Sequence, residues 1–443
     1  MGLNRRVPVS DIQIGAAGLA AVITLIALRL PIGITLIAVS YLGIWASGGH
    51  QAAWGMLSVM PHTLIASWTL SAVPMFLLMG FICYHGKLTN GLFDAAKLWF
   101  QRLPGGLAIA SVFGCSGFAA ITGSSVACAA AMGKIAVPEM VRHKYDMKLA
   151  TGTLAAAGTI GALIPPSIPL IIYGVIAQVS ITKLFLGGIG VGLATAFSYV
   201  VVILIRTWLN PSLAPRSTER ATLREQITVA KEVWPVILLI IGVLGGLFGG
   251  LFTSTEAGAV GALLSFVIAW AKGTLTREAL TRSVVETLVT CASVFIVVIG
   301  ASMLTSFLTL TGIAGAISEA AQALNTSPVM LLVAITLVYL FLGMFLEPIG
   351  AMLITLPIFL PLIGMAKIDI IWFGVFVAKL VEIGMITPPV GLNVFVLSST
   401  IGKSAPTDLI FRGVLWFFIA DLVVVALVIA MPGIIMFLPR YFS

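Results

Sequence analysis

The feature that most constrains the fold is a long apolar segment, residues 105–141, that a polar cluster interrupts near its middle. The cluster is Thr122-Gly123-Ser124-Ser125. Basic side chains flank both ends of the segment, and such loops mark the cytoplasmic face of a membrane. Each arm has about 15 residues, or roughly 22 Å of helix, which is less than the ~30 Å hydrocarbon core. The pattern therefore predicts a re-entrant helical hairpin whose tip lies deep in the bilayer.

The next apolar segment, residues 147–178, carries two helix breakers about halfway along. They are Gly161 and the pair Pro165-Pro166. Proline in a helix interior removes a backbone hydrogen bond and clashes with the preceding turn. Irregular backbone at membrane depth survives only where protein or a water-filled cavity satisfies its polar groups. We therefore expect a broken helix whose break meets the hairpin tip at similar depth and forms a binding site.

Composition fixes the class of protein. Of the 443 residues, 60% are apolar and 9% are charged, whereas soluble domains carry about 25% charged residues. The apolar runs are too long for outer-membrane strands, which alternate over about ten residues. The net charge of +8 is explained by basic cytoplasmic loops rather than by nucleic-acid binding. No GxxxxGK[ST] nucleotide-binding motif is found in the sequence, which argues against ATP coupling.

Counting every Lys and Arg predicts the topology. With the N-terminus outside, seventeen fall on the cytoplasmic side, five fall outside, and Lys134 and Lys379 lie within membrane segments. This bias favours an outside N-terminus and ten full crossings. The linker 209–232 is polar, and its part 218–232 is a candidate amphipathic surface helix. The candidate membrane segments are residues 12–28, 31–47, 62–86, 105–141, 147–178, 184–208, 233–251, 255–271, 285–310, 328–364, 370–402 and 411–437.

A second hairpin, residues 328–364, mirrors the first. Its midpoint is Glu347-Pro348-Ile349-Gly350, and its flanks contain a single basic residue, so both of its ends belong outside. The two hairpins are thus expected to enter from opposite faces.

An internal repeat connects the two halves. A shift of 223 residues places Ser124 on Glu347, Gly161 on Gly384, and the first Pro-Pro pair on Pro388-Pro389. One unit contains five crossings up to the start of the next, and because five is odd, the copies are inverted. Inverted repeats with broken helices that meet at the midplane are the architecture of secondary transporters.

The predicted fold class is an all-α polytopic membrane protein with inverted repeats, two re-entrant hairpins and two broken helices. The predicted divisions are 1–104 for first-repeat scaffold spans and an arm, 105–180 for the first half of a transport domain, 181–327 for a linking span, linker and second-repeat scaffold, 328–403 for the second half of the transport domain, and 404–443 for a C-terminal span.

The tips and breaks provide the candidate site residues. Helix N-termini suit a carboxylate, and unwound carbonyl and hydroxyl oxygens suit Na⁺. The alternative is that these small and Pro residues only pack or kink helices. The predicted Na⁺ ligands are Gly123, Ser124, Ser125, Gly161, Pro165, Pro166, Glu347, Gly350, Gly384, Thr387 and Pro388. The predicted substrate-binding residues are Thr122, Ser124, Ser167, Pro389, Asn393 and Lys379.

Charges inside apolar segments are costly and are usually paired or functional. Lys379 and Glu382 lie three apart on one helical face, which favours a mutual ion pair, with a substrate or ion role as the alternative. Glu256 is near the start of a span and is expected to be a helix-cap group or an interface contact. The four cysteines fall in apolar segments without metal-site spacing, which indicates buried free thiols and no transition-metal site.

An intramembrane serine protease is the enzymatic alternative. Gly114-Cys115-Ser116-Gly117 matches the GxSG pattern of such proteases, but the chemistry needs a general base within hydrogen-bond reach. The only downstream histidine, His143, is in a loop. Packing of the hairpin arms is the better explanation, and we expect no enzymatic activity. A channel is disfavoured because no pore-lining ring is visible.

The sequence resembles the large membrane subunit (DctM-like) of the tripartite ATP-independent periplasmic (TRAP) transporters. The residues that carry the resemblance are FAAITGSSVACAAAMGKIAVPEM, GTIGALIPPSIPLIIYGVIAQVSITKLFLGGI, FTSTEAGAVGALLSFV and GMITPPVGLNVFV. The resemblance implies an elevator-type domain in the bacterial inner membrane and Na⁺ sites between each hairpin tip and the neighbouring break. In that membrane, the outside N-terminus that the charge count predicts is periplasmic. No organic cofactor is implied, and Na⁺ is the coupling ion.

The same resemblance implies partners and a substrate class. The partners are a small four-helix membrane subunit, expected as a separate polypeptide, and a periplasmic binding protein that delivers an organic acid. The acid is a C4-dicarboxylate, sialic acid or another sugar acid. The alternative is a stand-alone Na⁺-coupled dicarboxylate or anion carrier of related elevator fold.

Overall fold

The computed structural model describes residues 11–89, 91–215, 223–323, 327–402 and 404–442, and within these ranges every regular element is helical. The helices are α1 Asp11–Ala27, α2 Ile32–Gly48, α3 His50–Ile65, α4 Ala72–His85, α5 Gly91–Phe100, α6 Gly106–Thr122, α7 Ser125–Arg142, α8 Met147–Gly158, α9 Ile168–Ile176, α10 Ile181–Leu209, α11 Leu223–Ala230, α12 Trp234–Ile240, α13 Gly246–Phe248, α14 Ser254–Ala271, α15 Arg277–Leu310, α16 Ile313–Ala323, α17 Pro328–Gly343, α18 Pro348–Met365, α19 Ile370–Gly384, α20 Leu392–Ile401, α21 Thr407–Ala430 and α22 Gly433–Tyr441.

Six helical segments in the described residues are long and apolar enough to cross a membrane. They are α10, the continuous segment Lys231–Phe248 that contains α12 and α13, α14, α15, α18 and α21. A seventh is obtained if the bent pair α3 and α4 counts as one span. The chain is therefore multi-pass, while ten crossings and an outside N-terminus stay predictions.

The predicted span 62–86 begins inside a longer helical segment, and the structure adds a bend within it that was not predicted. Helix α3 begins at His50 and ends at Ile65, and the continuing helical segment is bent by 57° relative to it. Ser67 accepts a hydrogen bond from the Leu70 N–H at 3.2 Å, and the Ser71 hydroxyl donates to the Trp68 carbonyl at 2.6 Å. These local side-chain bonds compete with helical backbone bonds and end the helix.

Two further helices, α11 and α16, lie outside the predicted membrane spans. Helix α16 was not predicted, because it is short and lies between two apolar segments. Helix α11 falls inside the predicted surface helix 218–232, of which residues 218–222 lie outside the described residues.

Helices α6 and α7 form a helical pair that turns within the predicted polar cluster. Gly123 ends α6 in the left-handed region at φ +61°, where glycine carries no steric penalty. Ser124 is extended and accepts a hydrogen bond from the Ala127 N–H at 3.3 Å, which caps α7. In the second pair, Glu347 is the N-cap of α18 and Pro348 is its first residue.

Both predicted broken helices are interrupted at their Pro-Pro pairs. Helix α8 ends at Gly158 and continues as a 3₁₀ turn, Thr159–Ala162, before α9 begins at Ile168. Helix α19 ends at Gly384, and α20 begins at Leu392. The Pro165–Pro166 and Pro388–Pro389 peptide bonds are both cis.

Local geometry recurs at positions that the 223-residue shift superposes. Asp146 caps α8, and Asp369 caps α19, each through its carboxylate. Lys144 and Lys367, which precede these caps, have φ of +58° and +54°. The inverted relation of the two halves stays a prediction.

One cluster of buried side chains joins the first hairpin to the second broken helix. It includes Phe118 of α6, Met132 of α7, Leu154 of α8, Leu397 of α20 and Phe417 of α21. Because helices from both halves share this cluster, the two breaks are held close to the same hairpin.

Helices α8 and α21 approach closely through glycine, as small residues allow in membrane proteins. A Cβ on Gly413 would lie 2.1 Å from the Lys148 carbonyl oxygen, and one on Gly152 would lie 2.4 Å from the Gly413 carbonyl carbon.

We predict that Gly413→Ala lowers the melting temperature of the purified protein in detergent, since overpacking costs about 1–3 kcal/mol. The matched control is Gly364→Ala, because nothing lies within 4 Å of a Cβ at that helical glycine. Equal melting temperatures for the two variants would contradict the packing described here.

Candidate functional site

A cavity of about 370 Å³ is lined by both predicted hairpin tips. Thr122, Gly123, Ser124 and Ser125 come from the first tip, and Glu347 comes from the second. The remaining wall includes side chains of α4 and α15, among them Tyr84, Thr290 and Ser293. The structure thus brings the two polar tips, 223 residues apart in sequence, to one site.

The first tip lies backbone to backbone against the first break. A Cβ on Gly123 would lie 2.3 Å from the Pro166 carbonyl oxygen, and one on Gly161 would lie 2.9 Å from the Ser124 carbonyl oxygen. Neither contact leaves room for a side chain. Gly123, Ser124, Gly161 and Pro166 are therefore brought together as the sequence analysis expected, although their ion-binding role stays a prediction.

Ser167 is fully buried, and its hydroxyl is used by the chain itself. The hydroxyl donates to the Ala162 carbonyl at 2.5 Å and accepts from the Leu170 N–H at 3.3 Å, which caps α9. Neighbouring Pro165 lies outside the cavity wall, whereas Ala162 and Ile168 on either side of the break are part of it.

The second break lies less directly against the second tip. Gly384 packs on α17, where its added Cβ would be 2.5 Å from the Gly343 Cα, and Gly350 packs on Ile32. The Thr387 hydroxyl donates to the Ile383 carbonyl at 2.7 Å. Gly350, Gly384, Thr387, Pro388 and Pro389 do not line the cavity, but Met385 and Leu392, which flank the break, do.

Asn393 and Glu382 lie on opposite sides of the second break and are both fully buried. The Asn393 amide nitrogen donates to the Ala155 carbonyl at 3.4 Å. Glu382 lines the cavity and accepts a hydrogen bond from the Ser125 hydroxyl at 3.3 Å. A side chain of the second half thus reaches the tip of the first hairpin.

The predicted ion pair between Lys379 and Glu382 is wrong. The Lys379 ammonium instead lies 2.5 Å from the Asp421 carboxylate of α21, and both side chains are buried. The Tyr199 hydroxyl is within 2.9 Å of both Asp421 oxygens and 3.2 Å from the Thr159 hydroxyl. Helical spacing permits an i,i+3 pair but does not enforce it when a tertiary partner lies closer. Lys379, predicted to bind substrate, does not line the cavity.

Asp421 and Tyr199 were missed in the sequence analysis. Asp421 is an acidic residue inside the apolar segment 411–437, and such residues are usually paired. This feature of the sequence could have indicated a buried ion pair. Nothing local in the sequence connects that residue with Lys379, 42 positions away.

Two other predictions are confirmed. The Glu256 carboxylate accepts from the Thr253 N–H at 2.8 Å, while the Thr253 hydroxyl accepts from the Glu256 N–H at 3.3 Å, which forms a capping box. All four cysteines are buried. The Ser116 hydroxyl donates to the Val112 carbonyl within its own helix at 2.9 Å.

We predict that Lys379→Met lowers stability by about 3–5 kcal/mol, because it leaves Asp421 buried without its cation. The double variant Lys379→Met/Asp421→Asn should recover part of the loss, and the measurement is chemical or thermal unfolding in detergent. Arg282→Met, which removes one partner of an exposed pair with Glu278, is the control and should cost at most about 1 kcal/mol. A double variant as unstable as the single one would contradict the pairing.

The fold is similar to that of the YdaH transporter of Alcanivorax borkumensis in its crystal structure, with a TM-score of 0.56, 16% sequence identity, and coverage of 83% of this chain and 85% of that one. At this identity the likeness concerns the fold alone.

Sequence comparison then identifies the family. Residues 19–434 match the family described as "Tripartite ATP-independent periplasmic transporter, DctM component", and the chain belongs to that family. It is a large permease component, a multi-pass protein of the inner membrane, and its relatives are transporter subunits rather than enzymes.

Two curated relatives span most of the chain. The C4-dicarboxylate TRAP transporter large permease protein DctM of Pseudomonas aeruginosa is 36% identical over 378 residues, which covers 84% of this chain and 87% of that protein. The sialic acid TRAP transporter large permease protein SiaM of Vibrio cholerae is 31% identical over 417 residues, which covers 93% of this chain and 95% of that protein.

Proposed function

We propose that this chain imports an organic acid across the bacterial inner membrane by Na⁺-coupled secondary transport. Family membership supports a small four-helix membrane subunit and a periplasmic substrate-binding protein as partners. The relatives named for C4-dicarboxylates and sialic acid support an organic acid as the substrate, and another sugar acid fits the same class. The observation that carries the proposal is the meeting of both polar tips at one cavity beside a helix break.

The chemistry of the first tip suits a hard cation. Ser124 and Ser125 offer hydroxyl oxygens. Where the tip meets the first break, the Ser124 carbonyl faces Gly161 and the Pro166 carbonyl faces Gly123. Oxygen ligands from unwound backbone and hydroxyl groups are those that coordinate Na⁺ in secondary transporters.

The second tip explains why a cation and an acid would enter together. Glu347 lines the cavity, and its side chain makes no bond to its own helix cap. A substrate carboxylate near Glu347 would be repelled, and a bound Na⁺ removes that repulsion. The N-terminus of α7 at Ser125 adds a partial positive charge toward the acid.

We place the release route in a second cavity, of about 680 Å³, on the side that we assign to the cytoplasm. Its wall includes Lys87, Lys134 and Arg282, and Tyr84 lines both cavities. Lys134 is on α7, whereas Lys87 and Arg282 belong to the predicted scaffold. An acid released toward this side would pass Lys87 and Lys134, since Arg282 is paired with Glu278 in the same wall. Motion of the first hairpin relative to the scaffold would open this route.

We predict that Ser124→Ala/Ser125→Ala reduces Na⁺-dependent uptake about tenfold or more, the equivalent of about 1.4 kcal/mol or more, because it removes two cavity hydroxyls. The assay is uptake into proteoliposomes that contain the small subunit, with the binding protein and radiolabelled succinate or N-acetylneuraminate outside. The control is Ser198→Ala, whose hydroxyl donates to the Thr195 carbonyl within α10. Unchanged uptake and Na⁺ dependence in the double variant would count against the assignment.

The same assay separates the tripartite system from the stand-alone alternative. Uptake that requires both the binding protein and the small subunit supports the proposal. Uptake of free acid by this chain alone would favour the stand-alone carrier.

Neutralising Lys134 should weaken binding of the acid from the cytoplasmic side. For Lys134→Gln we expect the internal acid concentration at half-maximal counterflow to rise about two- to fivefold, because an exposed charge contact is worth up to about 1 kcal/mol. The external acid concentration at half-maximal uptake should not change. Lys148→Gln, an exposed lysine outside the cavity, is the control, and equal counterflow in both variants would argue against this exit route.

A further inference from the structure

Helix α4 forms part of the wall of the cavity between the tips. Leu77, Gly80, Phe81 and Tyr84 line the cavity at the i, i+3, i+4 and i+7 spacing of one helix face. Gly80 is in close contact with the first tip, since a Cβ at this position would lie 3.0 Å from the Thr122 Cα. This face of α4 therefore lies directly against the hairpin tip, and Leu77 and Phe81 lie beside Gly80 on it.

Helix α15 extends this part of the wall. Its residues Thr290, Ser293 and Val294 line the cavity at i, i+3 and i+4 spacing, so they too lie on one helix face. Val294 is buried, and the Ser293 hydroxyl donates to the Val289 carbonyl of its own helix at 3.0 Å. The hydroxyl group of Ser293 is thus used within α15, and Val294 continues the apolar surface that α4 provides.

We call Leu77, Phe81 and Val294 the apolar wall. The charged residues of the cavity are both acidic, because Glu347 and Glu382 line it, while Lys, Arg and His are missing from the lining that the structure describes. A substrate carboxylate beside either glutamate is repelled, and one against the apolar wall loses its hydration without gaining a partner. The cavity therefore offers no favourable position to a second carboxylate of the substrate.

We propose that the transported acid is a monocarboxylate whose far end is apolar and lies against the apolar wall. The inference rests on the proposed function, in which one carboxylate lies near the N-terminus of α7, and it narrows the class of acid. Burial of an apolar end against the wall is favourable, whereas a hydroxyl or a second carboxylate there loses its hydrogen bonds to water. The cavity volume of about 370 Å³ is at the small end of the range for ligand pockets, which suits a small acid.

The test is an acid titration of the melting temperature of the purified chain in detergent, at neutral pH in Na⁺ buffer of constant ionic strength. The probes are hexanoate, ω-hydroxyhexanoate and adipate, which differ only at the far end: a methyl, a hydroxymethyl or a carboxylate group. Hexanoate should give half of the maximal shift at a concentration about tenfold or more below that of ω-hydroxyhexanoate, with adipate weakest. Equal concentrations, tighter binding of either polar acid, or no shift with hexanoate would overturn the inference.

Val294→Thr places a hydroxyl in the apolar wall with little change of side-chain shape, and that hydroxyl can bond the carbonyl one turn back in α15. The ratio of the half-maximal concentrations of ω-hydroxyhexanoate and hexanoate should fall about threefold or more. The control is Val289→Thr, an exposed valine of the same helix outside the cavity, which should keep the wild-type ratio. Phe81→Tyr adds a hydroxyl to the wall from α4 and keeps the test decisive if Val294→Thr does not fold. A wild-type ratio in the folded wall variants would overturn the inference.

Uptake by wild type with its partners separates this inference from the proposed function. Na⁺-dependent uptake of succinate, together with equal half-maximal concentrations for the three probes, would overturn the inference and leave the proposed function in place. The expected order of the three probes, together with uptake that is independent of Na⁺, would support the role of the apolar wall and overturn the proposed Na⁺ coupling.

Discussion

The contact between the first hairpin tip and the first broken helix determines where the rest of the site lies. Gly123 faces the Pro166 carbonyl, and Gly161 faces the Ser124 carbonyl, each at a distance that excludes a Cβ. Polar backbone that is remote from water must find partners within the protein or a wet cavity. The non-helical backbone of the tip therefore lies against that of the break, beside the cavity that both tips line.

A buried charge cluster fixes the second break relative to the first. Lys379 precedes the second break, and its partner Asp421 is held by Tyr199, whose hydroxyl also contacts Thr159 in the first break. Charges inside a membrane protein are costly unless paired, so the pair keeps α19, α21 and the 3₁₀ turn of the first break in one arrangement. The Ser125–Glu382 hydrogen bond adds a direct contact between the halves.

Short-range signals in the sequence were sufficient to predict the tips and breaks. Glycine at a positive φ, a serine cap and paired prolines act within a few residues, so Gly123, Ser124 and Pro165-Pro166 predicted where the helices stop. Long-range partners were not predictable in this way. Lys379 pairs with Asp421 because of the way α19 packs on α21, and no local sequence pattern indicates that packing. The bend between α3 and α4 was missed because hydropathy alone does not detect local capping.

The most direct test of the central claim is the water accessibility of position 124. In a variant carrying Ser124→Cys, with the four native cysteines replaced, a membrane-impermeant thiol reagent should label the new cysteine, because we expect water in the cavity that the tip lines. Labelling should be slower in Na⁺ than in choline if Na⁺ binds at the tip as we propose, because a bound ion would hold the tip against the break. A cysteine that reacts only with lipid-soluble reagents, at a rate independent of Na⁺, would contradict the account.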